Sequence, residues 1–80
     1  MSPKIIRITV VENYCLDLIF NDGTHRMFDV KPYLEIGDFK ELKDLSIFNT
    51  ASVFMGTVQW SNELDIAPET LYKESKLLAL

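Results

Sequence analysis

Three side chains early in the sequence, Cys15, His25 and Asp29, are of the types that serve as nucleophile, general base and orienting acid. Such groups act together only when their atoms lie within hydrogen-bond reach of one another. Strand residues rise about 3.3 Å each, so His25 and Asp29 would lie about 13 Å apart along one strand. We therefore predict no catalytic residues and interpret this face as polar surface with a half-buried thiol.

Metal and phosphate sites are not indicated either. Structural zinc takes four ligands of the cysteine and histidine types, and the chain has one residue of each. Asp17, Asp29 and Asp65 could supply oxygen ligands, but they fall on separate predicted strands and lack calcium-loop spacing. The three glycines match neither the phosphate-loop nor the dinucleotide fingerprint. The sequence therefore predicts no bound metal and no cofactor.

Length, composition and charge set the class of protein. The 80 residues are 48% hydrophobic and 25% charged, which favours one globular domain over residues 1–80. Cys15 alone forms no internal disulfide, and we see neither a secretion signal nor a membrane span, so the predicted location is the cytoplasm. The net charge is −4, and the Lys and Arg residues are scattered and form no basic stripe, so we predict that this domain alone does not bind nucleic acid directly.

The stretch from Tyr14 to Val30 predicts a β-hairpin, because two strand-like runs flank Asn-Asp-Gly. A two-residue loop at Asp22 and Gly23 would place Leu16 opposite Asp29 and Leu18 opposite Met27, which gives a less purely apolar face. We choose a three-residue turn over residues 21–23, with Gly23 in the left-handed conformation, which pairs Leu16 with Phe28 and Cys15 with Asp29. The chosen register gathers one apolar face, made of Tyr14, Leu16, Leu18, Phe20, Phe28 and Val30.

The remaining pattern predicts further strands and short helices. A first strand over residues 4–11 would place Ile6, Ile8 and Val10 on one face, and a later strand over 53–60 would bend or bulge at Gly56. Three helical segments are predicted, over residues 31–35, 39–43 and 68–78, with Asp38 as the cap of the second. A further turn is predicted at 45–49 and a short strand at 64–66. The predicted fold class is therefore α+β: a mainly antiparallel sheet, with an N-terminal three-stranded meander and the later strand, covered by short helices and a C-terminal helix.

The C-terminal residues 76–80 are unusually apolar for a chain end. Leu77 and Leu80 fall off the stripe that the predicted last helix offers to the sheet. They could dock on their own sheet, contact a partner, or continue into a longer chain. We predict that Leu77 and Leu80 contact a second chain, either another copy or a different protein.

The order of these features resembles DUF2442, a bacterial family of unknown function. The matching segments are L-D-L-I-F-N-D-G-T-H-R-M-F-D-V at 16–30, Phe48, and W-S-N-E-L-D-I-A-P-E-T-L-Y at 60–72. The resemblance implies a compact α+β domain and supplies no catalytic residues. It also implies members that occur alone, joined to DNA-binding segments, or in toxin–antitoxin-like pairs. The family pattern often has Gly where this chain has Glu63, so we expect Asn62 to take any positive φ in that turn.

These observations lead to a functional hypothesis with two alternatives. The leading hypothesis is a non-enzymatic interaction or regulatory module, such as the antitoxin-like half of a protein pair, with a protein partner or self-association and no membrane. The first alternative is a regulatory domain that senses a small molecule between sheet and helix near Trp60. The second is an enzyme of unknown class, which a strongly shifted pKa in a pocket would favour.

Overall fold

A computed structural model describes residues 2–79, which form runs of strands separated by short helical segments. In chain order the elements are β1 (Ile5–Val11), β2 (Cys15–Phe20), β3 (His25–Asp29), two 3-10 segments (Lys31–Tyr33 and Gly37–Lys43), α1 (Leu45–Phe48), β4 (Ser52–Phe54), β5 (Thr57–Gln59), β6 (Asp65–Ile66), α2 (Pro68–Glu74) and β7 (Lys76–Ala79). Strands β1, β2, β3 and β7 form a four-stranded antiparallel sheet in that order, and β4, β5 and β6 form a small three-stranded sheet. The α+β class, mainly sheet, is confirmed.

The central hairpin has the predicted three-residue turn and register. Gly23 has a φ of +85° and donates its N–H to the Phe20 carbonyl at 2.9 Å. Phe20 in turn donates its N–H to the carbonyl of Thr24 at 2.9 Å. The Asp22 carboxylate accepts hydrogen bonds from the N–H and the hydroxyl of Thr24, and these side-chain hydrogen bonds stabilise the turn. The pairing of Leu16 with Phe28 is confirmed.

The predicted apolar face of this hairpin is the centre of the core. Its five innermost members, Leu16, Leu18, Phe20, Phe28 and Val30, are all buried, and Tyr14 is half-buried at the margin. The register also places Arg26, opposite Leu18, on this face. The remaining buried apolar side chains are Ile5, Leu34, Leu42, Phe48, Val58, Trp60, Ile66 and Leu71.

The predicted alternation along β1 is wrong at its start. The pairing of β1 with β2 shifts register between Ile5 and Arg7, so Ile6 is an extra residue in a bulge. Ile5 is buried and takes the core position, whereas Ile6 is 62% exposed. Ile8 and Val10 keep the predicted side and pack against the core. A bulge flips every side chain before it, which is why the simple alternation failed there.

The segment between β3 and β4 is helical as predicted, with one cap misassigned. The turn Lys31–Tyr33 receives the expected support, because the Asp29 carboxylate accepts the Lys31 N–H at 2.9 Å. Asp38 caps nothing, since the second 3-10 segment already begins at Gly37 and makes no side-chain cap. Asp44 instead caps α1 by accepting the Ser46 N–H at 2.9 Å.

The predicted strand over residues 53–60 is a hairpin instead, and it lies outside the main sheet. Met55 and Gly56 both have positive φ, +50° and +82°, which reverses the chain between β4 and β5. The break at Gly56 is thus a tight turn rather than a bulge. Val58 and Trp60 share one buried face, as the pattern predicted.

The turn after Trp60 corrects the expectation for Asn62. Glu63 itself adopts a φ of +68°, and its N–H donates to the Trp60 carbonyl at 2.9 Å. Asn62 supports the turn through its side chain, which accepts the Leu64 N–H at 3.2 Å. Glu63 therefore adopts the left-handed conformation, which is strained for a residue with a Cβ and unstrained for glycine.

The predicted helix over residues 68–78 is the largest correction. Helix α2 ends at Glu74, Ser75 is extended, and Lys76–Ala79 form β7 on the free edge of β3. Leu71 is buried as the stripe required, but Leu78 belongs to the strand. The fourth strand of the main sheet is therefore β7, from the C-terminal segment, and not the predicted strand over residues 53–60.

Polar and aromatic contacts fasten α2 to the hairpin. The Tyr72 hydroxyl donates to the Asp22 carboxylate at 2.7 Å, and the Arg26 guanidinium lies 3.9 Å above the Tyr72 ring. Hydrogen bonds from Thr24 and from Tyr72 lower the pKa of Asp22 to about 2. This cluster holds the helix that leads into β7.

Candidate functional site

The residues with catalytic chemistry do not assemble into a catalytic group. Cys15 pairs with Asp29 across β2 and β3, while His25 lies opposite Ile19, four positions further along β2. At strand spacing this separates the thiol and the imidazole by about 13 Å. His25 instead contacts Asp17 through its Nε2, in a partly exposed pair on the outer face of the sheet. The structure thus places His25 beside a carboxylate that the sequence did not single out as its partner.

The surroundings of Cys15 are polar and already occupied. The Cys15 sulfur lies 3.5 Å from the Asn13 carbonyl and 3.7 Å from Nζ of Lys31. Lys31 also pairs with Asp29 at 3.0 Å, and the hydrogen bond that its ammonium donates to the Asp29 carboxylate raises the pKa of Lys31. Within residues 2–79 no three His, Cys, Asp or Glu side chains cluster as metal ligands.

The outer face of the main sheet carries a shallow polar depression. Its volume is about 240 Å³, and it is lined by Arg7, Thr9, Asp17, Ile19 and His25. Both members of the Asp17–His25 pair remain in contact with solvent. The depression presents hydrogen-bonding groups to solvent but is too shallow to enclose a ligand, as is typical of a solvent-exposed sheet face.

Trp60, near which the small-molecule alternative places its site, is packed into the core. Trp60 is buried, and its indole N–H donates to the Phe48 carbonyl at 3.1 Å. The Trp60 and Phe48 rings lie 6.1 Å apart, and both belong to the core cluster. Trp60 is therefore a packing residue with a satisfied polar group.

The C-terminal strand β7 is the exposed feature that the sequence singled out. It pairs with β3 on one side and is the last strand of the main sheet among the described residues, so its other edge carries no strand there. Leu77, opposite Arg26, is 46% exposed, and Leu78 is 45% exposed in a local bulge. Leu80, the second residue of the predicted contact, lies outside the described residues.

The architecture defines a class: a small, mainly antiparallel α+β domain whose four-stranded sheet ends, over the described part of the chain, at the edge strands β1 and β7. A family model described as "Protein of unknown function (DUF2442)" matches residues 5–76. The chain therefore belongs to the DUF2442 family, as its hairpin and Trp60-to-Tyr72 segment suggested. Comparison with the curated proteins returned no match, and comparison with the solved structures also returned none. No helix within residues 2–79 is long and apolar enough to cross a membrane.

Proposed function

We propose that this domain is a non-enzymatic protein-interaction module that docks another protein through the edge of β7. It would act in the cytoplasm as the regulatory or antitoxin-like half of a pair. The observation that carries the proposal is the exposure of Leu77 and Leu78 on a strand at the sheet edge. An edge strand offers main-chain N–H and C=O groups to a further strand, and apolar side chains beside them add buried area.

Local features of β7 favour a specific partner over indiscriminate pairing. Lys76 and the bulge at Leu78 are devices that discourage edge-to-edge aggregation. A partner must therefore match an irregular strand and accommodate a positive charge near its start. The domain's net charge of −4 adds a preference for a partner with a basic surface.

The outer-face chemistry supports a binding role better than a catalytic one. The separation of Cys15 from His25 removes the nucleophile–base contact that covalent catalysis requires. In the depression, His25 Nε2 contacts the Asp17 carboxylate and not the hydroxyl of Thr9, which also lines the depression.

Co-purification from the host tests this proposal. We expect an affinity-tagged domain to retain a specific protein, or light scattering to show self-association. The variant carrying Leu77→Glu and Leu78→Glu should lose that association while its circular dichroism remains that of the wild type. Ile36→Glu is the matched control, because Ile36 is also an exposed apolar side chain but lies far along the chain, before the second 3-10 segment.

Two outcomes would contradict the proposal. The first is a wild-type domain that stays monomeric and retains no specific protein under conditions in which it is folded. The second is a double variant that simply unfolds, which would assign both leucines to the domain's own core.

A further inference from the structure

A second surface, at the opposite edge of the main sheet, has the form of a peptide groove. A depression of about 530 Å³ lies between the end of β1, the turn that follows it, and α1. This volume lies within the range of small-ligand pockets and holds one or two large side chains. We call it the β1 groove and define it by its lining, which is made of residues 10–14 together with Leu45, Phe48 and Asn49.

One wall of the β1 groove is an unpaired strand edge. Strand β1 is the first strand of the main sheet, and its pairing partner within residues 2–79 is β2. The small sheet also packs beside β1, and the Ile5 N–H donates to the Gly56 carbonyl at 2.8 Å. Val10 and Val11, at the other end of β1, line the groove instead. Extended peptides add to such edges through main-chain hydrogen bonds.

The opposite wall is apolar and firmly held. The Tyr14 ring packs edge-on against Phe48 at 5.1 Å, and its hydroxyl donates to the Lys43 carbonyl at 2.6 Å. Tyr14 has a φ of +58°, a left-handed conformation that is costly for a large side chain and is kept only where the surroundings enforce it. Leu45, on α1, is 54% exposed beside this rigid wall. The wall is therefore a preformed apolar surface, and the exposed side chain of Leu45 beside it is available for contact with a ligand.

Two carboxamides and one charge complete the lining. Asn13 hydrogen-bonds within the described chain through its main-chain carbonyl, and Asn49 through its main-chain N–H, which leaves both carboxamides available. A carboxamide both donates and accepts, so it complements a peptide group. Glu12 is the one charged side chain among the lining residues of the groove in the described structure, and it favours a basic residue nearby.

We propose that the β1 groove binds an extended segment of a partner protein, which pairs its main chain with β1 and places an apolar side chain against Tyr14 and Leu45. A Lys or Arg next to that anchor residue meets Glu12. The proposal goes beyond docking at β7 and does not depend on it, since the two surfaces lie on opposite edges of the sheet.

Selection from a displayed library of random twelve-residue peptides tests the proposal. We expect the intact domain to enrich peptides that carry an apolar anchor next to Lys or Arg. A synthetic copy of an enriched peptide should bind in fluorescence anisotropy, and it should slow hydrogen exchange of main-chain amides in residues 9–11. Methylation of one peptide main-chain nitrogen at the pairing position should weaken binding at least tenfold.

Two variants of the domain complete the test. Leu45→Glu should weaken binding at least tenfold, and it should leave the fold intact because an acidic residue is favourable at the start of α1. The double variant Leu77→Glu, Leu78→Glu should bind the peptide as the wild type does, so failure at β7 and failure at the groove are distinguishable. Unchanged binding by Leu45→Glu, protection confined to β7, or no enriched peptide would overturn the proposal.

Discussion

Replacing Glu63 by glycine should stabilise this domain, although it removes a side chain. Glu63 holds a φ of +68°, and its side chain is exposed. The left-handed conformation costs a residue with a Cβ about 1–2 kcal/mol. Relief of this strain is partly offset, by about 0.5–1 kcal/mol, because the glycine backbone loses more conformational entropy on folding. The midpoints of these two ranges differ by about 0.75 kcal/mol, a net gain that corresponds to roughly 3–6 °C in Tm for a domain of this size.

The control for Glu63→Gly is the same substitution at Glu69. Glu69 lies in the first turn of α2, where glycine should cost about 1 kcal/mol through lost helix propensity. Thermal unfolding followed by circular dichroism should therefore move the two variants in opposite directions. The reasoning is refuted if Glu63→Gly melts at or below the wild-type temperature while Glu69→Gly melts lower as expected.

Two further predictions concern the hairpin. The pKa of Asp22 is lowered to about 2 by hydrogen bonds from Thr24 and Tyr72, so its stabilising contribution is present above pH 3.8 and is lost as the pH falls toward 2. The Tm difference between the wild type and Asp22→Asn should therefore shrink over that interval; a difference that stays constant with pH would contradict this account. Cys15→Ser should lower Tm only slightly and leave partner affinity unchanged, because the thiol is a weak donor and its contact with the Asn13 carbonyl is 3.5 Å long; lost affinity in a folded variant would give the thiol a functional role.

The sequence predicted the parts of the fold that neighbouring residues determine. The turn at Asp22 and Gly23 is encoded by residues with local hydrogen bonds and positive φ, so its register could be read directly. The apolar face followed from that register. The position of Val58 and Trp60 on one face followed from alternation alone.

Distant partners explain the parts that sequence reasoning missed. Leu77 and Leu78 are compatible with a helix as well as with a strand, and pairing with the free edge of β3, some fifty residues earlier, decides in favour of the strand. Met55 gives no turn signal, yet it adopts a φ of +50° to form the β4–β5 hairpin. The β1 groove was missed because α1 comes beside β1 only in the folded chain.

The affinity of the domain for its captured partner, or for a second copy, tests the central claim most directly. Leu77 and Leu78 are 46% and 45% exposed, which leaves about 80 Å² on each, worth about 2 kcal/mol if an interface buries it. That free energy corresponds to roughly 30-fold in Kd for each leucine. We predict that Leu77→Glu with Leu78→Glu raises Kd at least tenfold, with an unchanged circular dichroism spectrum and unchanged binding by Ile36→Glu. An unchanged Kd for the folded double variant would contradict docking through β7.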